Sequence, residues 1–250
     1  MHRFYLPPAQ CAGDHLRLTD REAHHASHVL RLRNGESVTV LDGAGHVLEC
    51  EVTGVARTEV ALRVRTRNFL PPLPGPITLL QALPKGKIID AIIQKAVELG
   101  VRRVIPILSE RVVSQLDEDG AEGKREKWQQ VAVEAIKQCG AAWLPTVATP
   151  VTLAQYLARP EVFDLTLIGS LQAERRHPRA CLAEYQTARG RPPGSVGVWV
   201  GPEGDFTPAE VAAIEAAGAQ PITLGRLVLR VETAAIYCLS ILNYELNTAA

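Results

Sequence analysis

Three segments in the second half of the chain have residue types suited to holding a small molecule. They are Leu167, Ile168, Gly169, Ser170 and Leu171; Gly201, Pro202, Glu203 and Gly204; and Leu224, Gly225, Leu227 and Leu229. Each follows a short apolar run. Glycine lets the backbone approach a ligand closely, so that N–H and C=O groups can read its polar edges. None of the three matches GxGxxG or the P-loop, which disfavours the nucleotide folds carrying those fingerprints. Part of the middle segment has a purely structural explanation. Thr207 and Glu210 have capping-box spacing and Pro208 suits a first helical position. The two glycines flanking Pro202 and Glu203 ask for more than a cap.

A charged pair, Arg230 and Glu232, opens an otherwise apolar helical stretch near its donor-rich end. A capping carboxylate beside a surface arginine explains such a pair as readily as catalysis does. Arg31 and Arg33, and Arg63, Arg65 and Arg67 alternating along one strand, suit phosphate contact. The histidines, among them His24, His25 and His28, have no carboxylate or cysteine at ligand spacing, so no metal site is expected. There is no nucleophile elbow and no Ser-His-Asp order.

The elements that must position these residues fall into two patterns. Before residue 71, short alternating runs at 36–41, 47–55 and 59–67 predict strands, with Asp42 and Gly43 as a turn. Apolar residues at helical spacing predict one helix over 20–32. This describes a small β-barrel-like domain over residues 1–70. The run 71–76 holds four prolines and a glycine and reads as a linker. After it, predicted strands at 77–82, 104–108, 165–168, 196–200 and 221–224 alternate with helices at 85–99, 124–140, 207–217 and 231–247. That order predicts an α/β domain over 77–250 with a parallel sheet and ligands at its carboxyl edge.

Composition narrows the function further. The 250 residues carry 27 Lys plus Arg against 27 Asp plus Glu, so bulk attraction to nucleic acid is excluded but a local basic patch is not. Charge type is uneven: residues 1–72 hold nine arginines and no lysine, and all six lysines follow residue 84. Five scattered cysteines without CxxC spacing disfavour a disulfide framework or zinc site and fit a cytoplasmic protein. No apolar run is long enough to span a bilayer, so no membrane association is expected.

Taken together, the blocks resemble the RsmE family, the 16S rRNA uridine-N3 methyltransferases of the knotted SPOUT superfamily. In the first domain the resemblance rests on His25, His28, Arg31, Arg33 and Gly35, then Val38 to Gly43. In the second it rests on Gln94, Lys95, Glu98 and Gly100, on Ser109 to Arg111, and on Glu134 with Gln138 to Gly140. Residues 201–204 and 224–234 complete it. Ala141 and Val231 stand where the family commonly has arginine and threonine. The resemblance implies a PUA-like RNA-binding domain followed by a methyltransferase domain with a C-terminal trefoil knot. It implies S-adenosylmethionine held by the three glycine segments and Thr233, with Arg230 and Glu232 as catalytic residues. Lys85, Lys95, Arg111 and Gln138 would join the first-domain arginines on RNA. The expected partners are 16S rRNA in the assembled small ribosomal subunit and a second copy of the chain, without membrane or metal. Alternatives are a knotted enzyme acting on tRNA or a ribose 2′-oxygen, and a non-catalytic RNA-binding assembly factor.

Overall fold

A computed structural model describes residues 2–111, 118–171 and 175–247, the side chains of 118 and 119 excepted. The chain packs as two compact units, one of Met1–Pro72 with Val133–Leu144 and the other of Leu73–Ala132 with Pro145–Ala250.

The first unit contains β1 (His2–Tyr5), β2 (His15–Thr19), α1 (Asp20–His24), β3 (Ser37–Leu41), β4 (His46–Val55) and β5 (Glu59–Phe69). Its sheet runs β1-β3-β4-β5-β2, antiparallel except for the parallel β1–β3 pair. Phe4, Leu16, Leu18, Val38, Val40, Leu48, Val52 and Leu62 form its core. The helix expected over 20–32 is α-helical only to His24; a π-turn over His25–Val29 follows, and Arg31 takes a left-handed φ of 55°. Ser27 Oγ donates to the Ala23 carbonyl at 2.7 Å, a back-bond that loosens helices, and Leu30 N–H reaches His25 rather than a residue four back.

The three arginines of β5 do not share one face. A bulge at Glu49/Cys50 leaves Arg65 without a register partner and sets Arg67 opposite the core residue Leu48. Arg63 and Arg65 converge on the Glu51 carboxylate, whereas Arg67 donates to the Gly13 carbonyl at 3.2 Å. A period-two reading cannot foresee the extra residue that shifts the phase.

The second unit begins with β6 (Ile77–Ala82), α2 (Ile88–Glu98), β7 (Arg103–Leu108) and α3 (Glu118–Cys139). The last turns of α3 belong to the first unit. There Lys137 pairs with Glu22 at 2.6 Å and Glu134 at 3.2 Å, and Arg3 donates to the Gln138 carbonyl at 2.9 Å. The remaining elements are β8 (Thr146–Val147), β9 (Val151–Thr152), α4 (Leu153–Ala158), β10 (Leu165–Gly169), α5 (Pro178–Arg189), β11 (Val196–Val200), α6 (Pro208–Ala216), β12 (Gln220–Ile222) and α7 (Val231–Asn247). The sheet is wholly parallel, in the order β12-β10-β11-β6-β7-β8, with β9 also on β7. Its central strands are buried on both faces, as parallel sheets require. Leu80, Ala82, Ile105, Ile168 and Trp199 pack toward α4 and α6. On α7 lie contacts to α2, β6 and β11. The expected α/β architecture is thus present, with β1, β2, β8, β9, α4 and α5 as additional elements.

Candidate functional site

Parallel strands place every carboxyl end at one edge, so the loops after the neighbouring strands β12, β10 and β11 emerge side by side. Between them lies a cavity of about 410 Å³, within the size range of small-molecule sites. Gly169, Ser170 and Leu171 line it from the β10 loop, Gly201, Pro202, Glu203, Gly204 and Asp205 from the β11 loop, and Leu224, Gly225 and 227–229 from the β12 loop. Arg230, Val231, Glu232 and Ala234 close it at the start of α7. Leu167 and Ile168 instead lie in β10 with fully buried side chains, and Thr233 is exposed; none of the three lines the cavity.

Asp205, which pattern reading passed over, organises the loops. Its carboxylate accepts the Leu171 N–H at 2.7 Å and the Phe206 N–H at 2.8 Å, although its own backbone sits at φ 69°. A Cβ on Gly201 would come within 2.9 Å of that carboxylate, so glycine there leaves room for the inter-loop bond. The β11 loop is also fastened elsewhere. Glu203 accepts the Lys85 N–H at 3.1 Å, and the Arg111 guanidinium donates to the Gly204 carbonyl. Behind the loop, Thr207 and Glu210 form the expected capping box with Pro208 at the helix start. Buried Glu210 also accepts the Glu110 N–H at 2.8 Å.

The cavity wall combines apolar and polar parts. Leu171, Leu227 and Val228 are exposed and offer apolar surface to the cavity. The N–H groups of Leu227, Val228 and Leu229 find no acceptor among the described residues. Such a wall fits a molecule with an apolar face and a hydrogen-bonding edge, as an adenosyl group has. Arg230 is exposed and Glu232 half-buried, and neither side chain bonds a described residue, so Glu232 does not orient Arg230 here. Arg175, another residue missed in the sequence, lines the cavity and donates to the Ser170 carbonyl at 3.3 Å.

The residues expected on RNA are dispersed. Arg31 and Arg33 are exposed in the first unit, as is the Gln138 side chain. In the second unit Lys85 and Arg111 lie beside the β11 loop, whereas Lys95 pairs with Glu98 at 2.9 Å on an exposed face of α2. Among the described residues no cluster of histidine, cysteine or carboxylate groups could hold a metal, and no helix is long and apolar enough to cross a membrane.

Residues 71–243 match the RNA methyltransferase domain family, and residues 18–65 match the RNA methyltransferase PUA domain. Fold and cavity therefore define an RNA methyltransferase domain joined to a PUA domain. A ribosomal RNA small subunit methyltransferase E from Synechocystis is 33% identical over 99% of this chain and 78% of its own length. That of Bacillus subtilis is 31% identical over 91% of this chain and 89% of its own. The chain belongs to the ribosomal RNA small subunit methyltransferase E family. Among solved structures, the Neisseria gonorrhoeae enzyme of that name bound to S-adenosyl methionine superimposes with a TM-score of 0.85 at 29% identity, covering 98% of both chains. A Legionella pneumophila methyltransferase complexed with the same cofactor gives 0.86 at 30% identity and 97% coverage of both.

Proposed function

We propose that this chain methylates N3 of a uridine in 16S rRNA on the assembled small ribosomal subunit, using S-adenosylmethionine. The observation that carries the reading is the convergence of three strand-end loops on one cavity with Arg230 and Glu232 at its rim. Family membership and the cofactor named in the related structures support it. The cofactor supplies an electrophilic methyl group on a sulfonium centre.

Everything else falls to the protein. The 169–171, 201–205 and 224–229 loops would hold the cofactor, the N–H groups of Leu227, Val228 and Leu229, which bond no described residue, meeting its polar edges and Leu171, Leu227 and Val228 its apolar face. Uridine N3 carries a proton and becomes a nucleophile only when that proton leaves. The Arg230 guanidinium holds the negative charge that then develops on the uracil carbonyl oxygens. The Glu232 carboxylate takes the N3 proton, directly or through water. Asp205, by tying the 169–171 and 201–205 loops together, would hold the groups that position the cofactor in place.

The arginine-rich domain over residues 1–70 engages the RNA, and its selectivity draws on RNA shape as well as on the base. The insertion of β10 between β11 and β12, with α7 starting at the cavity rim, supports a trefoil knot in the C-terminal part. The same reading includes a cytoplasmic homodimer built through that knot. The test is an assay with labelled cofactor and small subunits, followed by mapping of the product. An N3 methyl blocks Watson–Crick pairing and stops reverse transcription at one uridine. A ribose methyl, or a methyl on tRNA alone, would overturn the reading.

A further inference from the structure

A second cavity, of about 340 Å³, shares Glu203 with the first. Its walls are the loop from Leu83 to Ile89 and the stretch of α3 from Lys124 to Trp128, with Arg111 beside them. Four cations, Lys85, Arg111, Lys124 and Lys127, face two carboxylates, Asp90 and Glu203. Asp90 is fully engaged: one oxygen takes the Lys127 ammonium at 2.7 Å and the other the Trp128 indole N–H at 3.1 Å. The ammonium groups of Lys85 and Lys124 bond no described residue. Half of the chain's six lysines therefore border one cavity in a protein of zero net charge, and two of them have no counter-ion among the described residues.

We propose that this cavity takes a backbone phosphate of the RNA beside the nucleotide being methylated, gripped by Lys85 and Lys124. The assignment rests on the methyltransferase reading above. Lysine is a compact point charge suited to a phosphate, whereas reading a base edge needs fixed donors and acceptors. Of the fixed groups present, Asp90 and the Trp128 N–H are spent on each other, Glu203 accepts the Lys85 N–H and Arg111 donates to the Gly204 carbonyl, while Trp128 is too buried to stack on a base. Because Glu203 walls both cavities, a base over the methyl donor and the phosphate of its own strand can occupy them together. The same loop is tied from the phosphate side by the Lys85 N–H and by Arg111.

The test uses the full chain with Lys85→Gln, Lys124→Gln and the double substitution, titrated with small ribosomal subunits over a salt series. Each substitution is expected to flatten the slope of log affinity against log salt by about 0.7–0.9, the value of one lost phosphate contact. KM for rRNA should rise with kcat little changed, and calorimetric affinity for S-adenosylmethionine should stay within about twofold, its own cavity being intact. Inorganic phosphate should compete no better than chloride at equal ionic strength; strong competition would make this a free-anion site and overturn the proposal. Unchanged slopes in both single variants, or a cofactor affinity that falls in step with RNA affinity, would overturn it too. A protein with the expected slopes that methylates no uridine would sink the functional reading and leave the phosphate site standing. Uridine methylation with unchanged slopes would do the reverse.

Discussion

The Asp205 carboxylate accepts the Leu171 backbone N–H at 2.7 Å, tying the loop after β11 to the loop after β10. Both residues line the larger cavity, so the bond fixes the spacing of its two loops. A second N–H, that of Phe206, binds the other oxygen at 2.8 Å. Hydrogen bonds to a charged group contribute about 1.5–3 kcal/mol each, more than an ordinary pair.

Asp205→Ala is therefore expected to weaken S-adenosylmethionine binding by roughly ten- to a hundredfold, since it removes a charged acceptor and strains a left-handed position. Asp205→Asn tolerates that backbone better and should lose less. Gly201→Ala presses on the same carboxylate from 2.9 Å and should act on the same element. Calorimetry on the single and double variants checks this: Gly201→Ala with Asp205→Ala should cost clearly less than the two losses added. Full additivity would show that the loops are held independently.

Glu210 makes a separate prediction about stability. Its buried carboxylate caps α6 through the Thr207 N–H at 2.9 Å and accepts the Glu110 N–H at 2.8 Å. Thr207→Ala removes one cap bond and should cost about 1 kcal/mol. Glu210→Ala strands two N–H groups and should cost about 3 kcal/mol. Urea unfolding measures both; equal losses would contradict the double role.

Five strands of the parallel sheet, β6, β7, β10, β11 and β12, were legible because buried strands read as apolar runs closed by glycine or proline. Residues 77–82 and 196–200 coincide with β6 and β11. What escaped had no local signal. Alpha-helix α5 buries only Pro178, Cys181 and Leu182, too few for a periodic stripe. The strands β1 and β2 are only four and five residues long, and β1 does not alternate. The end of α3 joins the first unit through Lys137 and Glu22, a pair 115 residues apart that no window of sequence contains. The loops of the cavity could be found from their glycines, whereas Asp205 and Arg175 act through backbone partners visible only in three dimensions.

Arg230 lies at the cavity rim, exposed and free of bonds to described residues, which suits a group that waits for substrate. Arg230→Ala should lower kcat for methyl transfer at least a hundredfold, on the scale of losing one oxyanion donor, and change cofactor affinity less than about threefold. Stopped-time assays beside calorimetry separate the two. Equal loss in both would make Arg230 a cofactor ligand.

Alkaline pH should destabilise the protein through its buried thiols. All five cysteines are free, and only Cys139 is exposed. Burial pushes the Cys238 thiol up to about 12, and burial, with the nearby Cys11 sulfur and Glu49 adding to it, does the same for Cys50. In the unfolded chain a thiol ionises near 9. Below that pH both states keep the proton and the thiols' full contribution is present. Between about 9 and 12 the unfolded chain loses protons that the folded chain retains, so stability falls as pH rises through this window. Each such thiol contributes about 1.4 kcal/mol per pH unit to the slope. Cys238→Ala should therefore flatten the decline of unfolding free energy above pH 9 by about one thiol's share, whatever it does to stability at pH 7. At pH 8, below that window, a thiol reagent should modify Cys139 quickly and the other four only as the chain unfolds. Rapid labelling of Cys238 in the folded protein would show that the thiol beneath the β10 loop is open to solvent, and would remove the basis for the alkaline slope.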